Sequence, residues 1–175
     1  MINLSRRQLF TRHLSYLKPA TSTPSSNHKL SQPRLPWLKE EQLFTEQCTR
    51  CNACVEVCTN QIIDTCDGGF PRINFHKNEC AFCYQCAQIC PESLFLNRRE
   101  SPWEIKAIIS NVCLTKKGVE CRSCEESCSS LAISFHPSVS NVAQPLLKAN
   151  NCTGCGACVS VCPMQAIEVS AADVD

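Results

Sequence analysis

Cys80-Ala81-Phe82-Cys83-Tyr84-Gln85-Cys86-Ala87-Gln88-Ile89-Cys90-Pro91 decides how this chain is read. Three cysteines stand two residues apart, a fourth follows after three more, and proline closes the run. The same spacing recurs at Cys48, Cys51, Cys54 and Cys58, and again at Cys152, Cys155, Cys158 and Cys162, where Pro163 follows. Cys113, Cys121, Cys124 and Cys128 form a looser fourth copy. This is the ligand run of bacterial four-iron ferredoxins. A four-iron cubane needs four thiolates, one per iron, arriving from tetrahedral directions. Three closely spaced cysteines let one irregular loop reach three irons, and backbone N–H groups in that loop can face the sulfurs. The fourth cysteine leads away and, in two-cluster ferredoxins, ligates the other cluster.

That crossing predicts four ligand sets. Cys48, Cys51, Cys54 and Cys90 form the first, and Cys80, Cys83, Cys86 and Cys58 the second. By analogy Cys113, Cys121, Cys124 and Cys162 form the third, and Cys152, Cys155, Cys158 and Cys128 the fourth. The expected cofactors are [4Fe-4S] clusters, three from the intact runs and a fourth from the stretched one. In that stretched run the first gap holds seven residues, 114–120, within which Gly118 lets the loop bulge and return. The competing reading makes Cys113 a small buried apolar residue, with the cluster absent or three-iron. The intact spacing after Cys121 favours the full set.

Working outward, the first cysteines at 48, 80, 113 and 152 mark a repeat of a little over 30 residues. Such a period marks stacked or paired modules. Apolar residues follow each fourth cysteine: Ile62 and Ile63, Leu94 and Phe95, Leu131 and Ile133, Ala166 and Ile167. Each set reads as one helical turn and then a short strand. Return strands are expected at Ile73-Asn74-Phe75 and Leu146-Leu147, with turns at Asp67-Gly68-Gly69 and His136-Pro137-Ser138. The fold class is therefore α+β: tandem bacterial two-cluster ferredoxin-like modules of short helices and short antiparallel strands. Residues 37–102 make the first module and 103–175 the second. The stretch 103–109 reads as a short helix over the joint.

Residues 1–36 read as an N-terminal arm, disordered or helical. Ser5-Arg6-Arg7-Gln8-Leu9-Phe10 opens like a twin-arginine signal. Thr11, Arg12, His13, Ser15 and Lys18 then interrupt the apolar core that export requires. Leu9, Phe10, His13, Leu14 and Leu17 instead fit a basic amphipathic helix suited to docking a partner. Residues 19–36 hold four prolines among serines and threonines, a linker composition.

Composition excludes several classes. Seventeen cysteines in 175 residues is about a tenth of the chain, the range of disulfide scaffolds and metal proteins. An odd count, no secretory signal and the crowding of three cysteines into seven residues argue against disulfides. Structural zinc sites use two pairs separated by a dozen or more residues, which these runs do not. No apolar stretch is long enough to cross a membrane as a helix. The formal charge of +1 counts every thiol as neutral. Sixteen bound thiolates and four oxidised cores of about +2 would leave the loaded protein near −7, which disfavours a nucleic-acid partner.

No nucleophile–base pair or nucleotide loop occurs, so no catalytic residue is expected and the chain does not read as an enzyme. His13, His28, His76 and His136 are scattered. Cys66 lies outside the repeats and reads as incidental. Phe75, Phe82, Tyr84 and Phe95 sit near cysteines, where they would shield clusters or simply pack.

The arrangement resembles the NapF family, ferredoxin-type accessory proteins of the periplasmic nitrate reductase system. The likeness rests on Ser5-Arg6-Arg7, on Phe44 to Cys51, on Asn78 to Phe95 with its Cys-Pro-Glu-Ser-Leu-Phe, on Val119-Glu120-Cys121-Arg122-Ser123-Cys124, and on Cys152 to Cys158. It implies a cytoplasmic protein that binds the molybdenum-containing catalytic subunit before export. It also implies that the protein assists cluster or cofactor maturation, by electron supply, with the sixteen cysteines above as ligands. Two other readings stay open: an electron-transfer subunit of a membrane-associated or molybdenum oxidoreductase, and a zinc-binding interaction module.

Overall fold

Each cysteine run folds into a loop followed by one short helix, and antiparallel strand pairs tie the loops together. The computed structural model describes residues 33–138 and 142–171. The basic segment 1–18, with His13, and most of the Pro/Ser-rich stretch, with His28, lie outside the described residues. Helix α1 spans Glu41–Gln47, α2 Ala53–Glu56, α3 Gln85–Gln88, α4 Ser123–Glu126 and α5 Ala157–Ser160. The strands are β1 (Ile63–Thr65), β2 (Pro71–Ile73), β3 (Ile105–Ile109), β4 (Ile133–His136), β5 (Gln144–Leu147) and β6 (Ile167–Ala171). Among the described residues no helix is long and apolar enough to cross a membrane.

The plan occurs twice. Between the first two cysteine runs β1 pairs with β2, Ile63 opposite Ile73. Between the last two β4 pairs with β5, Ile133 opposite Leu147. An outer pair closes each half. In the second half it is five residues of β3 against β6. In the first it shrinks to a single bridge, Leu38 to Phe95. Backbone hydrogen bonds from Lys39 N–H to Leu94 O and from Leu96 N–H to Trp37 O flank that bridge.

Three local readings are corrected. The stretch expected as a helix over the joint is strand β3. Ile105, Ala107 and Ile109 face inward in alternation, and β-branched residues on a period of two favour a pleated ribbon. After Cys128 the buried pair is Ala132 and Ile133, while Leu131 stays 74% exposed. Leu131 has φ 52°, and that left-handed turn swings its side chain outward. Residues 33–36, read as the end of the linker, belong to the folded body. Leu35 is 3% exposed, and Ile73 N–H donates to Pro33 O.

One apolar core runs through both halves. Ile62, Ile63, Ile73 and Phe75 join Ala132, Ile133, Val159 and Ile167 in it, together with Cys86, Cys124, Cys152 and Cys158. A row of aromatic rings crosses the boundary. Trp37 packs edge-on to Tyr84 and Phe82, Phe82 to Trp103, and Trp103 to Phe75, with centroids 5.0–6.2 Å apart. Such edge-to-face pairs add about 0.5–1.5 kcal/mol each beyond burial.

Candidate metal centres

The loop geometry explains how so few residues hold three sulfurs around one point. In every intact run the second and fourth residues after the first cysteine adopt the left-handed conformation. They are Arg50 and Asn52, Phe82 and Tyr84, Gly154 and Gly156, with φ between 51° and 83°. These conformations cost roughly 1–2 kcal/mol for a residue with a Cβ, so the surrounding fold enforces them. Each reversal turns the chain around a hollow instead of letting it continue as a strand. The helix that follows carries the third cysteine: Cys54, Cys86, Cys124 and Cys158 all sit within α2 to α5.

The hollows gather sulfurs in the crossed arrangement. One of about 420 Å³, counting its open mouth, is lined by Cys48, Cys51, Cys54 and Cys90, with Leu35, Phe44 and Leu94 in its wall. A second of about 400 Å³ is lined by Cys80, Cys83, Cys86 and Cys58, beside Trp37 and Ile73. A third of about 320 Å³ brings Cys113, Cys121 and Cys124 to Cys162, beside Phe135 and Ile167. In the fourth group Cys158 lies within electrostatic reach of Cys152, Cys155 and Cys128. Cys66 joins none of them; its sulfur faces the Arg34 guanidinium at 3.7 Å.

The thiol arrangement suits neither disulfides nor a single ion. All seventeen cysteines are free thiols. Tetrahedral zinc at about 2.3 Å needs sulfurs about 3.8 Å apart, and among the described residues no three Cys, His, Asp or Glu side chains close around one ion. Four thiols spread around an apolar hollow fit a larger inorganic core.

Burial governs the ionisation of the thiols. It pushes Cys54 and Cys124 up to about 11 and Cys86 and Cys158 up to about 12, with neighbouring thiols adding to the effect. Cys80, also buried, is pushed up to about 11. Low dielectric disfavours an isolated thiolate, so without a metal these groups keep their protons, and cluster binding must displace them. Cys128 goes the other way. Burial opposes its ionisation, yet the Ser130 hydroxyl and the amides of Ile133, Ala132 and Ser130 hold it below its ordinary value.

The halves meet at two of these groups. Cys80 N–H donates to Cys155 O at 2.8 Å. A Cβ on Gly156 would lie 2.0 Å from the Phe75 ring, and one on Gly154 would lie 2.6 Å from Ile105 O. The first two runs place ordinary residues at the matching left-handed positions, so glycine in the last run answers close approach as well as φ. Within each half, the helices that carry the third cysteines pack together, α2 against α3 and α4 against α5. The groups therefore stand in series: first, second, fourth, third. Sequence reasoning missed the Cys80–Cys155 contact. The paired glycines of Cys152-Thr153-Gly154-Cys155-Gly156 were its one visible trace.

A repeated three-plus-one cysteine cage, tied by short antiparallel ribbons, defines a ferredoxin-type iron–sulfur protein. The 4Fe-4S dicluster domain family matches residues 47–94 and again 117–170. The chain is 48% identical to the ferredoxin-type protein NapF of Escherichia coli K12 over 77% of its length and 82% of that protein. It is 39% identical to NapF of Haemophilus influenzae over 96% of its length and 94% of that protein. MauM, a methylamine utilization ferredoxin-type protein of Methylobacillus flagellatus, is 28% identical over 74% of the chain and 63% of its own length. The chain belongs to the NapF family of ferredoxin-type proteins. It is an iron–sulfur protein carrying [4Fe-4S] clusters, and it is not an enzyme.

Proposed function

We propose that the chain holds four [4Fe-4S] clusters on the crossed sets. With them it assists maturation of the periplasmic nitrate reductase catalytic subunit in the cytoplasm before export, by supplying electrons or assembly chemistry. The observation that carries the cluster assignment is the closing of three-cysteine loops on the fourth cysteine of the neighbouring run. A bound cubane supplies reversible one-electron storage. The chain's own residues do the rest. The sixteen thiolates would hold the irons, while Trp37, Phe44, Phe135 and Ile167 keep water from the hollows. Likeness to the NapF family supports the choice of client.

Iron analysis of anaerobically purified protein, with capture of the unexported catalytic subunit, tests this reading. About sixteen irons per chain are expected. Stable co-purification with the mature enzyme would favour the alternative of a permanent electron-transfer subunit. Crossing has its own test. Cys58→Ser and Cys80→Ser should each remove about a quarter of the iron, and together no more than either alone. Cys58→Ser with Cys48→Ser should remove about half, because the two serve different sets. The reverse pattern would mean that each run holds its own cluster.

A further inference from the structure

The stretched cysteine run has a feature that cluster binding alone does not explain. A hydroxyl stands two residues after three of its cysteines: Thr115 after Cys113, Ser123 after Cys121 and Ser130 after Cys128. Each reaches its cysteine's sulfur. Thr115 Oγ1 lies 3.3 Å from Cys113 Sγ, Ser123 Oγ 3.7 Å from Cys121 Sγ and Ser130 Oγ 3.5 Å from Cys128 Sγ. Thr115 is 2% exposed and is the one buried polar side chain among the described residues. The extra residues of the first gap build its position. They form a 3₁₀ turn over Thr115–Lys117, which Gly118 ends at φ 83°.

We propose that these three hydroxyls set reduction potential, making the third and fourth cages easier to reduce than the first and second. The proposal rests on the cluster reading above. A metal-bound thiolate has no proton, so the hydroxyl must donate. Reduction adds one electron of negative charge to the core and its sulfurs, with no bond made or broken. A donor already aimed at sulfur favours that state, and does so more strongly out of water.

Backbone donors add to these hydroxyls. Ala132 N–H reaches Cys128 Sγ at 3.3 Å, Ala166 N–H reaches Cys162 Sγ at 3.3 Å and Ala107 N–H reaches Cys152 Sγ at 3.5 Å. In the first half a hydroxyl, that of Thr49, faces Cys51, but this sulfur is exposed. Water there supplies equivalent bonds with or without Thr49. The exposure of Cys51 and Cys83 does favour reduction in the first half. It touches one sulfur per cage, and the amides of Ala53, Phe82 and Glu92 add to it at Cys51, Cys80 and Cys90. What sets the second half apart is a hydroxyl on a sheltered sulfur at both of its cages.

The test uses full-length, anaerobically loaded protein, titrated with dithionite and followed by electron paramagnetic resonance at set potentials. Thr115→Val, Ser123→Ala and Ser130→Ala are combined, with Thr115→Ser and Ser123→Thr as conservative controls. Iron content should hold. At the wild-type midpoint, the third-cage cluster, which loses two hydroxyls, should show a reduced-to-oxidised ratio about tenfold lower in the triple variant, and the fourth-cage cluster, which loses one, a smaller drop of the same sign. The controls should keep the wild-type curve. An unchanged curve at full iron content overturns the proposal, as does a shift confined to the clusters reduced last. Should the triple variant fail to load, Thr115→Val alone, which keeps shape and volume, gives the same reading on the third cage. An iron-free wild type would instead remove the cluster reading itself.

Discussion

Stripping iron from the loaded protein with a chelator is expected to abolish its cooperative fold. The longest helix among the described residues has seven residues, and the four that carry third cysteines have four each. Isolated helices shorter than about 12–15 residues are marginal in water. Among the described residues the strands occur only as two-stranded ribbons, which are marginal alone as well. Four buried members of the core are cysteines, Cys86, Cys124, Cys152 and Cys158, so without metal the centre of the molecule is a set of hollows. Metal binding must then supply folding free energy. Far-ultraviolet circular dichroism and a thermal melt before and after chelation give the answer. A sharp transition surviving in iron-free protein would show that side chains alone suffice.

Gly156→Ala is expected to be the most damaging single substitution away from the cysteines. Its Cβ would lie 2.0–2.6 Å from three atoms of the Phe75 ring, a buried side chain with little room to move. The backbone at φ 83° adds its own strain. Left-handed strain of about 1–2 kcal/mol and overpacking of about 1–3 kcal/mol sum to roughly 2–5 kcal/mol. Gly118→Ala is the matched control. It shares φ 83°, yet its Cβ would meet nothing within 4 Å, leaving about 1–2 kcal/mol of strain. Denaturant melts of the loaded proteins should rank them in that order. Phe75→Ala should recover part of the Gly156→Ala loss, and equal costs at the two glycines would refute the close-packing argument.

Cysteine spacing carried most of what could be read from the chain. It set the groupings into which the thiols come together, and with them the pairing of run one with run two and of run three with run four. Apolar residues after each fourth cysteine marked the core to within one position. The miss at Leu131 has a local cause: an apolar side chain stands at the exposed left-handed position three places after Cys128, while the buried pair stays four and five places on, as at Ile62 and Ile63. The same conformation recurs at Gln61 and Gln165, and nothing in those side chains announces it. Arg50, Phe82 and Tyr84 are likewise forced into left-handed turns by the wrapping of the loop, against their own preference. The stretch 103–109 misled because a short apolar run suits either element until its partner is known. That partner, β6, lies at the far end of the described chain. Thr115 was passed over because a threonine in a loop is ordinary in sequence; only its burial against Cys113 distinguishes it.

The outer ribbon of the second half also constrains the order of events during synthesis. Ile109 finds its partner in Ile167, and Ile105 in Ala171, so β3 leaves the ribosome long before the strand that must cover it. The first half closes over a similar separation, Trp37 N–H meeting Pro102 O, but its closing stretch leaves the ribosome before β3 does. Domains generally fold as units, N-terminal first. The nascent chain therefore trails a finished first half while the thiols of Cys113 to Cys128 stand uncovered. Premature oxidation or capture by the wrong metal would strike there first.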